Sequence, residues 1–337
     1  MGNGGVDTGD LAAAITTGDR RALARAITLI ESTRPEHRAQ ALELLDDLLP
    51  HAGGATRVGI SGSPGVGKST FIEALGLHVV DADHHLGVLA VDPSSRRSGG
   101  SILGDKTRMV DLVRHEAAFI RPSPAGTTLG GVARRTREAM LLCEAAGFDV
   151  VFVETVGVGQ SETAVADLVD LFVLLVAPGG GDDLQGIKRG IMELADLVVV
   201  NKADGDLADA AGRTAGDYRN ALGLMRPRWD GTPPPVLTAS ALTRRGIDEI
   251  WTTITTMAAE AADAGEQDRR RADQATSWMW DEVRQSLLDR LTSDGHTASL
   301  VTEVEADVRA GRCTPSTGAR RLLVAGGPDG GTTTVAP

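Results

Sequence analysis

The sequence predicts an α/β protein built on a doubly wound, mainly parallel β-sheet. Seven short apolar runs lie between residues 58 and 260, and helix-length segments separate them. Continuous runs rich in Val, Ile and Leu are typical of parallel strands that are buried on both faces. A glycine-rich segment also joins the first run to a helical pattern. The seven runs are Val58–Ile60, Val88–Val91, Phe119–Ile120, Val150–Val153, Leu171–Ala177, Leu197–Val200 and Val236–Leu237.

Residues 1–55 predict a helical segment that precedes the sheet domain. Asp19 has a side chain suited to capping the amino end of a helix. Within that helix Leu23, Ile27 and Ile30 recur at helical spacing, so we expect them to share one buried face.

A second helix is expected to complete an N-terminal helical hairpin. Pro35 is suited to its first turn, and Pro50 predicts its end. Its apolar face is expected to contain Leu42, Leu45 and Leu49, which repeat at helical spacing.

The chain beyond the predicted sheet domain, residues 56–260, again indicates helices. Residues 261–325 predict a C-terminal helical extension, with one apolar face formed by Trp280, Val283, Leu287 and Leu291. Residues 326–337 are rich in Gly and Thr without a periodic pattern, which predicts a disordered tail.

Composition excludes several classes of protein. Lys and Arg number 34 against 46 Asp and Glu, so the net charge of −12 argues against general nucleic-acid binding and polybasic membrane attachment. The two cysteines, Cys143 and Cys313, suit neither a disulfide scaffold nor a paired-cysteine metal site. The longest apolar run, Leu171–Ala177, is far shorter than the roughly 20 residues of a membrane span. We therefore expect a cytoplasmic protein with no nucleic-acid or membrane partner.

A phosphate-binding loop is the strongest chemical signal. The segment 62–69 matches G-x-x-x-x-G-K-[ST] and lies between a predicted strand and a predicted helix. Its glycines let backbone N–H groups surround phosphate oxygens, and the helix presents its positive end to them. Lys68 is expected to reach the β- and γ-phosphates and Ser69 to ligate Mg²⁺. The expected nucleotide-binding residues here are Gly62, Ser63, Pro64, Gly65, Val66, Gly67, Lys68, Ser69 and Thr70.

A second motif predicts which base is bound. Asn201-Lys202-Ala203-Asp204 follows a predicted strand and matches N-K-x-D. A carboxylate at Asp204 accepts hydrogen bonds from the ring N–H and exocyclic amine of guanine, whereas adenine has a lone pair where that N–H would be. We therefore expect GTP and GDP rather than ATP. Ser240, Ala241 and Leu242, which follow the last predicted strand, are expected to complete the base site.

Acidic residues at the ends of two strands predict the metal site. Glu154 follows Val150–Val153, and Asp92 follows Val88–Val91. Because ligands bind at the carboxyl ends of parallel strands, both carboxylates are magnesium candidates. Gly157 is expected to contact the γ-phosphate. Val158 occupies the position where many signalling GTPases carry a water-orienting Gln, so we expect slow hydrolysis without a partner.

Two further loops contain polar residues whose types alone do not indicate whether the loops are functional. Asp105 lies in a charged segment that is equally typical of a solvated loop. The segment 179–188 contains glycines, acids and a lysine, so it suits either a nucleotide-dependent switch or a plain surface turn.

The sequence resembles the methylmalonyl-CoA mutase-associated GTPases, a MeaB or ArgK-like family within the metallocentre-assembly group of P-loop GTPases. The resemblance extends from about residue 11 to residue 323. Its longest matching segments are GISGSPGVGKST (59–70), RSGGSILGDKTRM (97–109), ETVGVGQSE (154–162), DDLQGIKRGIMELAD (182–196) and NKAD (201–204).

This resemblance implies a GTPase chaperone of a cobalamin-dependent acyl-CoA mutase, which gates adenosylcobalamin loading and protects or rescues the mutase. It implies catalytic and metal-binding roles around Mg²⁺ and GTP for Lys68, Ser69, Asp92, Asp105 and Glu154. It implies that Asp182, Gln185 and Lys188 belong to a switch that relays the nucleotide state. It also implies a homodimer formed through the C-terminal extension.

Two alternative functions remain open. A nickel- or cobalt-insertion GTPase of the same broad group would need Cys and His ligands, and the two cysteines offer no paired spacing. A phosphotransferase linked to amino-acid transport would need an acceptor site, for which the sequence offers no residue set.

Overall fold

The computed structural model describes residues 7–91, 109–123, 129–155, 161–179, 189–225, 227–293 and 295–325. The chain divides into two compact units, residues 1–274 and residues 275–337. The first unit contains the β-sheet and the second is helical.

The predicted parallel sheet is confirmed. The described residues form seven strands in the order β3-β2-β4-β1-β5-β6-β7, and every neighbouring pair is parallel. The chain runs from β1 to β2 and β3 on one side of it and later passes from β4 across β1 to β5 on the other side, so the crevice at this change of direction lies at the carboxyl end of β1. The strands are β1 (Thr56–Gly62), β2 (Leu86–Val91), β3 (Ala118–Ser123), β4 (Val150–Thr155), β5 (Leu171–Val176), β6 (Leu197–Val200) and β7 (Val236–Thr238).

Helices cover both faces of the sheet. On one face α4 and α9 contribute Phe71, Leu75, Ile250 and Ile254 to a core with inward residues of the strands. On the other face Cys143 of α5 lies under Gly87 of β2, where an added Cβ would be 3.4 Å from its Sγ. In the first unit the helices are α1 (Thr8–Thr16), α2 (Arg20–Glu31), α3 (Pro35–Leu48), α4 (Lys68–Asp81), α5 (Leu129–Ala145), α6 (Ser161–Ala166), α7 (Arg189–Met192), α8 (Ala208–Leu222), α9 (Ile247–Asp263) and the start of α10 (Glu266–Ser293).

The N-terminal helices agree with the sequence in part. The Asp19 side chain accepts hydrogen bonds from the N–H groups of Arg21 and Ala22, which confirms the cap of α2. Leu23 and Ile27 are fully buried on the predicted face. The structure adds a helix that was not predicted, α1, whose amino end is capped by Asp7 in the same way.

The predicted face of α3 was wrong. Leu44 and Leu48 are fully buried, whereas Leu42 and Leu49 are 47% and 61% exposed. Apolar residues occupy two neighbouring stripes of this helix, so helical spacing alone did not decide which stripe is buried. Contacts with α1, α2 and α5 select the stripe that contains Leu44.

A network of charged side chains lies at the amino ends of β1 and β5. The Asp170 carboxylate accepts the N–H of Arg57 at 2.9 Å and two guanidinium bonds from Arg271 at 2.6 and 2.7 Å. Arg57 Nε donates to Glu144 Oε1 at 2.6 Å. Arg271 also donates to the carbonyl of Gly53 at 2.5 Å. The first turns of α10 are therefore held against this edge of the sheet.

The second unit contains the end of α10, α11 (Gly295–Arg309) and α12 (Pro315–Ala325). A Cβ added to Gly318 would lie 2.9 Å from Val304 Cγ1, so glycine permits α12 to approach α11 closely. On α10, Trp280, Val283 and Leu287 are 39–54% exposed. The predicted tail, residues 326–337, lies outside the described residues.

Within the described ranges, no helix combines the length and the hydropathy that a membrane span requires.

Candidate nucleotide site

The loop between β1 and α4 is shaped by glycine. Gly62 has a φ of 154°, and an added Cβ would lie 2.4 Å from the carbonyl oxygen of Leu175. Gly67 has a φ of 94° at the amino end of α4, and an added Cβ would lie 3.0 Å from Asn201 Nδ2. Side chains at these positions would therefore strain the backbone and displace the neighbouring strand or loop.

Lys68 begins α4 and folds back over this loop. Its Nζ donates to the carbonyl oxygens of Gly62 at 2.8 Å and Ser63 at 3.3 Å. The ammonium group therefore lies above the concave loop, at the positive end of a 14-residue helix. An anion held by the loop N–H groups would meet a positive charge at this point.

Ser69 and Glu154 meet below the loop. Ser69 Oγ donates to Glu154 Oε1 at 3.2 Å, and the two residues are 8% and 4% exposed. The register of β1 against β4, with Ile60 beside Glu154, brings the carboxylate to this position. A hydroxyl and a carboxylate are oxygen ligands of the kind that Mg²⁺ prefers, so this pair fits the metal.

A further buried polar pair was not predicted from the sequence. Thr155 Oγ1 donates to Ser61 Oγ at 2.8 Å, and both residues are fully buried. This bond joins β4 to β1 immediately before the phosphate loop. Polar residues at the ends of two otherwise apolar strands are the sequence signal that could have indicated it.

Asn201 joins three loops. Its Nδ2 donates to the carbonyl of Val66 at 2.9 Å, and its Oδ1 accepts the N–H of Ala241 at 3.2 Å. Lys202, which has a φ of 60°, donates from Nζ to the carbonyl of Gly65 at 2.6 Å. Both side chains therefore fasten the base-side loop to the phosphate loop.

The remaining base-side residues form a rim. Asp204 is partly buried, and its side chain makes no capping bond to the short 3₁₀ helix that follows it, Gly205–Leu207. Ser240 is fully buried and its Oγ accepts the N–H of Thr243 at 3.1 Å. Ala241 is 8% exposed and Leu242 is 80% exposed. Asp204 and Leu242 thus give these two loops a partly buried acidic residue and an exposed apolar side chain.

Several expected site residues lie outside the described residues. These are the metal candidates Asp92 and Asp105, the phosphate-sensing Gly157, and the switch residues Asp182, Gln185 and Lys188. Among the side chains that the structure describes, no group of three or more His, Cys, Asp or Glu residues is arranged to hold a metal ion.

The parallel sheet with a phosphate loop after its central strand and the N-K-x-D loop after β6 defines a P-loop GTPase, a fold that binds guanine nucleotides. A crystal structure of a protein named LAO/AO transport system kinase has this fold, with a TM-score of 0.75 and 40% sequence identity. The match covers 96% of this chain and 98% of that one.

The family follows from the sequence comparison. The sequence model of the family described as methylmalonyl Co-A mutase-associated GTPase MeaB matches residues 23–296, so the chain belongs to this family. GTPase ArgK of Escherichia coli is 48% identical over 305 residues, which cover 90% of this chain and 92% of ArgK. The mitochondrial methylmalonic aciduria type A homolog of Mus musculus is 47% identical over 321 residues, covering 92% of this chain and 77% of that protein.

Proposed function

We propose that this chain is a GTP-hydrolysing chaperone of a cobalamin-dependent acyl-CoA mutase of the methylmalonyl-CoA mutase type. In this role it gates adenosylcobalamin loading and protects or reactivates the mutase. The observation that carries the proposal is the match to the mutase-associated GTPase family over residues 23–296. The geometry of the phosphate and base loops supports it, since a nucleotide-timed chaperone needs both.

The phosphate chemistry is assigned to the loop and to Lys68. In the observed state the Lys68 ammonium is satisfied by the carbonyls of Gly62 and Ser63. We expect it to exchange these bonds for oxygens of the β- and γ-phosphates when nucleotide binds. Its charge then offsets the negative charge that develops as water attacks the γ-phosphorus in line.

The magnesium role is assigned to Ser69 and Glu154, with Asp92 and Asp105 as further candidates. The buried Ser69–Glu154 bond supports it, because two oxygen ligands already lie together at the foot of the phosphate loop. A bound Mg²⁺ would supply charge neutralisation to the phosphates. Glu154 would orient the hydroxyl of Ser69, or it would accept a hydrogen bond from a water molecule bound to the metal.

The base site is assigned to the two loops that Asn201 joins. Asp204 would accept hydrogen bonds from guanine, while Leu242 would contact the base through its apolar side chain. Asn201 and Lys202 would hold these groups against the phosphate loop, together with Ser240 and Ala241. Guanine selectivity and phosphate binding are therefore expected to depend on each other.

The link to the mutase is assigned to residues 182–188. Asp182, Gln185 and Lys188 would differ in arrangement between the GTP and GDP states and so report the nucleotide to the partner. Because Val158 replaces a water-orienting Gln, we expect slow turnover alone and faster turnover with the mutase. Changing Gln185 or Lys188 to Ala should remove this acceleration.

A homodimer is assigned to the exposed face of α10. Trp280, Val283 and Leu287 lie on one helical face and expose 39–54% of their surface. Burial of such a face against a second copy would remove apolar area from water. Light scattering should give the mass of a dimer, and Leu287→Glu should give that of a monomer.

The deciding experiment measures GTP and ATP hydrolysis by the purified protein, with and without a cobalamin-dependent acyl-CoA mutase of the same organism. We expect turnover of GTP alone, and an increase when the mutase is added. Co-purification of the mutase with the chain, dependent on the nucleotide, is the parallel readout. The chaperone role would be contradicted if the chain hydrolysed GTP but no such mutase bound it or changed the rate. The assignment as a GTPase would still stand.

A second function is favoured by one observation, the name of the solved relative with 40% identity, LAO/AO transport system kinase. A kinase would transfer the γ-phosphoryl group to an acceptor rather than to water. Incubation with γ-labelled GTP or ATP separates the two, since labelled protein or amino acid would indicate a kinase and labelled phosphate a GTPase.

A further inference from the structure

One arginine outside the recognised motifs connects the two base-side loops. The guanidinium of Arg245 donates to the carbonyl of Ala203, which lies within the N-K-x-D segment. The backbone carbonyl of the same arginine accepts the N–H of Ser240 at 3.0 Å, which closes the 240–245 loop. Arg245 therefore contacts both loops at once, through its side chain and its backbone.

The backbone around this arginine is held in one arrangement. Gly246 has a φ of 79°, and an added Cβ would lie 2.5 Å from the carbonyl oxygen of Thr238. The turn consequently packs directly on the end of β7. The Ser240 hydroxyl fixes the same loop from inside by accepting the N–H of Thr243. The backbone of Arg245 is therefore fixed in position, and its side chain extends from there to the carbonyl of Ala203.

The bonded carbonyl belongs to the peptide that precedes Asp204. The N–H of Ala203 donates to the carbonyl of Ala239 at 2.9 Å, so the residue is fixed on its amino side. The Arg245 bond fixes its carboxyl side, and with it the plane of the Ala203–Asp204 peptide. Since Asp204 is extended, with φ −131° and ψ 164°, the orientation of that peptide sets the direction of its side chain.

We propose that Arg245 is a positioning residue for guanine selectivity. In this proposal it acts through the Ala203–Asp204 peptide and not by binding the base. The inference rests on the proposed role of Asp204 in reading guanine. The Asp204 carboxylate would accept two parallel hydrogen bonds, one from the ring N–H of guanine and one from its exocyclic amine. Both bonds form only when the carboxylate has the correct orientation, so a change in orientation would break the pair.

The test compares the binding of GDP and inosine diphosphate, whose base lacks the exocyclic amine. Arg245→Ala should weaken GDP binding by about 3- to 10-fold, the effect of losing one hydrogen bond between Asp204 and the exocyclic amine. Inosine diphosphate has no such amine, so its binding should change much less. The preference for GDP should therefore fall by the same factor. The kcat at saturating GTP should change little, whereas KM should rise.

Two further variants separate positioning from general damage. Arg245→Lys keeps a donor on a long side chain and should restore part of the preference. Arg244→Ala changes the exposed neighbouring residue in the same turn, and this variant should have the wild-type ratio of GDP to inosine diphosphate affinity. If Arg245→Ala does not fold, as thermal unfolding would show, Arg245→Gln provides the same comparison.

An unchanged ratio of GDP to inosine diphosphate affinity in Arg245→Ala would overturn the inference, and so would equal weakening of both nucleotides. Nucleotide binding by the wild-type protein tests the proposed role of Asp204 separately. If it binds GDP no better than inosine diphosphate, the assignment of Asp204 fails and the role of Arg245 fails with it. If it prefers GDP and Arg245→Ala shows the same preference to the same extent, only the role of Arg245 is lost.

Discussion

The two edges of the sheet are stabilised in different ways, although the same strands form both. At the carboxyl edge, hydrogen bonds among Lys68, Asn201 and neighbouring backbone carbonyls hold the loops together. At the amino edge, the carboxylates of Asp170 and Glu144 meet the guanidinium groups of Arg57 and Arg271, with little solvent exposure.

The difference indicates a division of roles. At the carboxyl edge, the bonds of Lys68 to the loop carbonyls and of Ser69 to Glu154 are ones that a phosphate or a metal ion can replace. Breaking a buried ion pair at the amino edge leaves an uncompensated charge, which is far more costly than breaking an exposed pair. We therefore expect substitutions at the amino edge to change stability, and substitutions at the carboxyl edge to change nucleotide binding and turnover.

The largest expected effect is at the amino edge. Arg271→Ala should lower the free energy of unfolding by about 3–5 kcal/mol, because it leaves the Asp170 carboxylate buried without its strongest partner. Urea unfolding measures the loss. Arg269→Ala is the matched control, since that side chain lies two positions away in α10 and is 68% exposed. A loss below about 1 kcal/mol for Arg271→Ala would contradict the division of roles.

The next effect is at the carboxyl edge. Lys68→Ala should lower kcat/KM for GTP by about 10²–10³-fold, as is typical when one group that stabilises transition-state charge is removed. Its unfolding free energy should change much less than that of Arg271→Ala, because the carbonyls of Gly62 and Ser63 that would lose the ammonium group are uncharged, whereas Arg271→Ala leaves a buried carboxylate. A variant that hydrolyses GTP normally would exclude this lysine from the phosphate site.

Two glycines of the phosphate loop sharpen the comparison. Gly62→Ala places a Cβ 2.4 Å from a backbone oxygen, whereas Gly65→Ala, at a φ of 80°, meets nothing within 4 Å. Both changes strain the backbone, and the φ of 154° at Gly62 is further from the left-handed region that Ala can adopt, so the loss at Gly62 should exceed that at Gly65 by at least the overpacking cost of about 1–3 kcal/mol. Unfolding without nucleotide measures this difference, and equal losses would mean that β5 moves aside.

The smallest effect concerns pH. Burial raises the pKa of the Cys143 thiol from 9.0 to about 12. The folded chain thus keeps a proton that the unfolded chain loses above pH 9, so stability falls as pH rises through that window. By pH 10 the loss should be about 1 kcal/mol. Cys143→Ala should flatten this part of the profile, and a profile that stays equally steep would assign the loss to other groups.

Much of the fold could be predicted from the sequence because its signals are local. Each strand contains a short continuous apolar run, and Asp19, the cap of α2, bonds to N–H groups only two and three residues away. The face of α3 was wrong because two apolar stripes compete and only its neighbours decide between them. The amino-edge network was not predicted at all, since Arg57, Glu144 and Asp170 come from distant parts of the chain and form no motif.

The site divides in the same way. The two nucleotide motifs are short segments with fixed spacing, so their residues could be named from the sequence. The Ser61–Thr155 bond and the contact of Arg245 with Ala203 depend on strand register and loop packing, which spacing does not report.

The position of β1 at the centre of the sheet affects the order in which the protein can assemble during synthesis. Its neighbours β4 and β5 are made later, and at about 5–20 residues per second the roughly 100 intervening residues take about 5–20 seconds. During that interval the phosphate loop has emerged while Leu175 and Asn201, which pack against Gly62 and Gly67, have not. We therefore expect nucleotide binding to begin only when most of the sheet has left the ribosome, which is too late for the nucleotide to act as an early folding template.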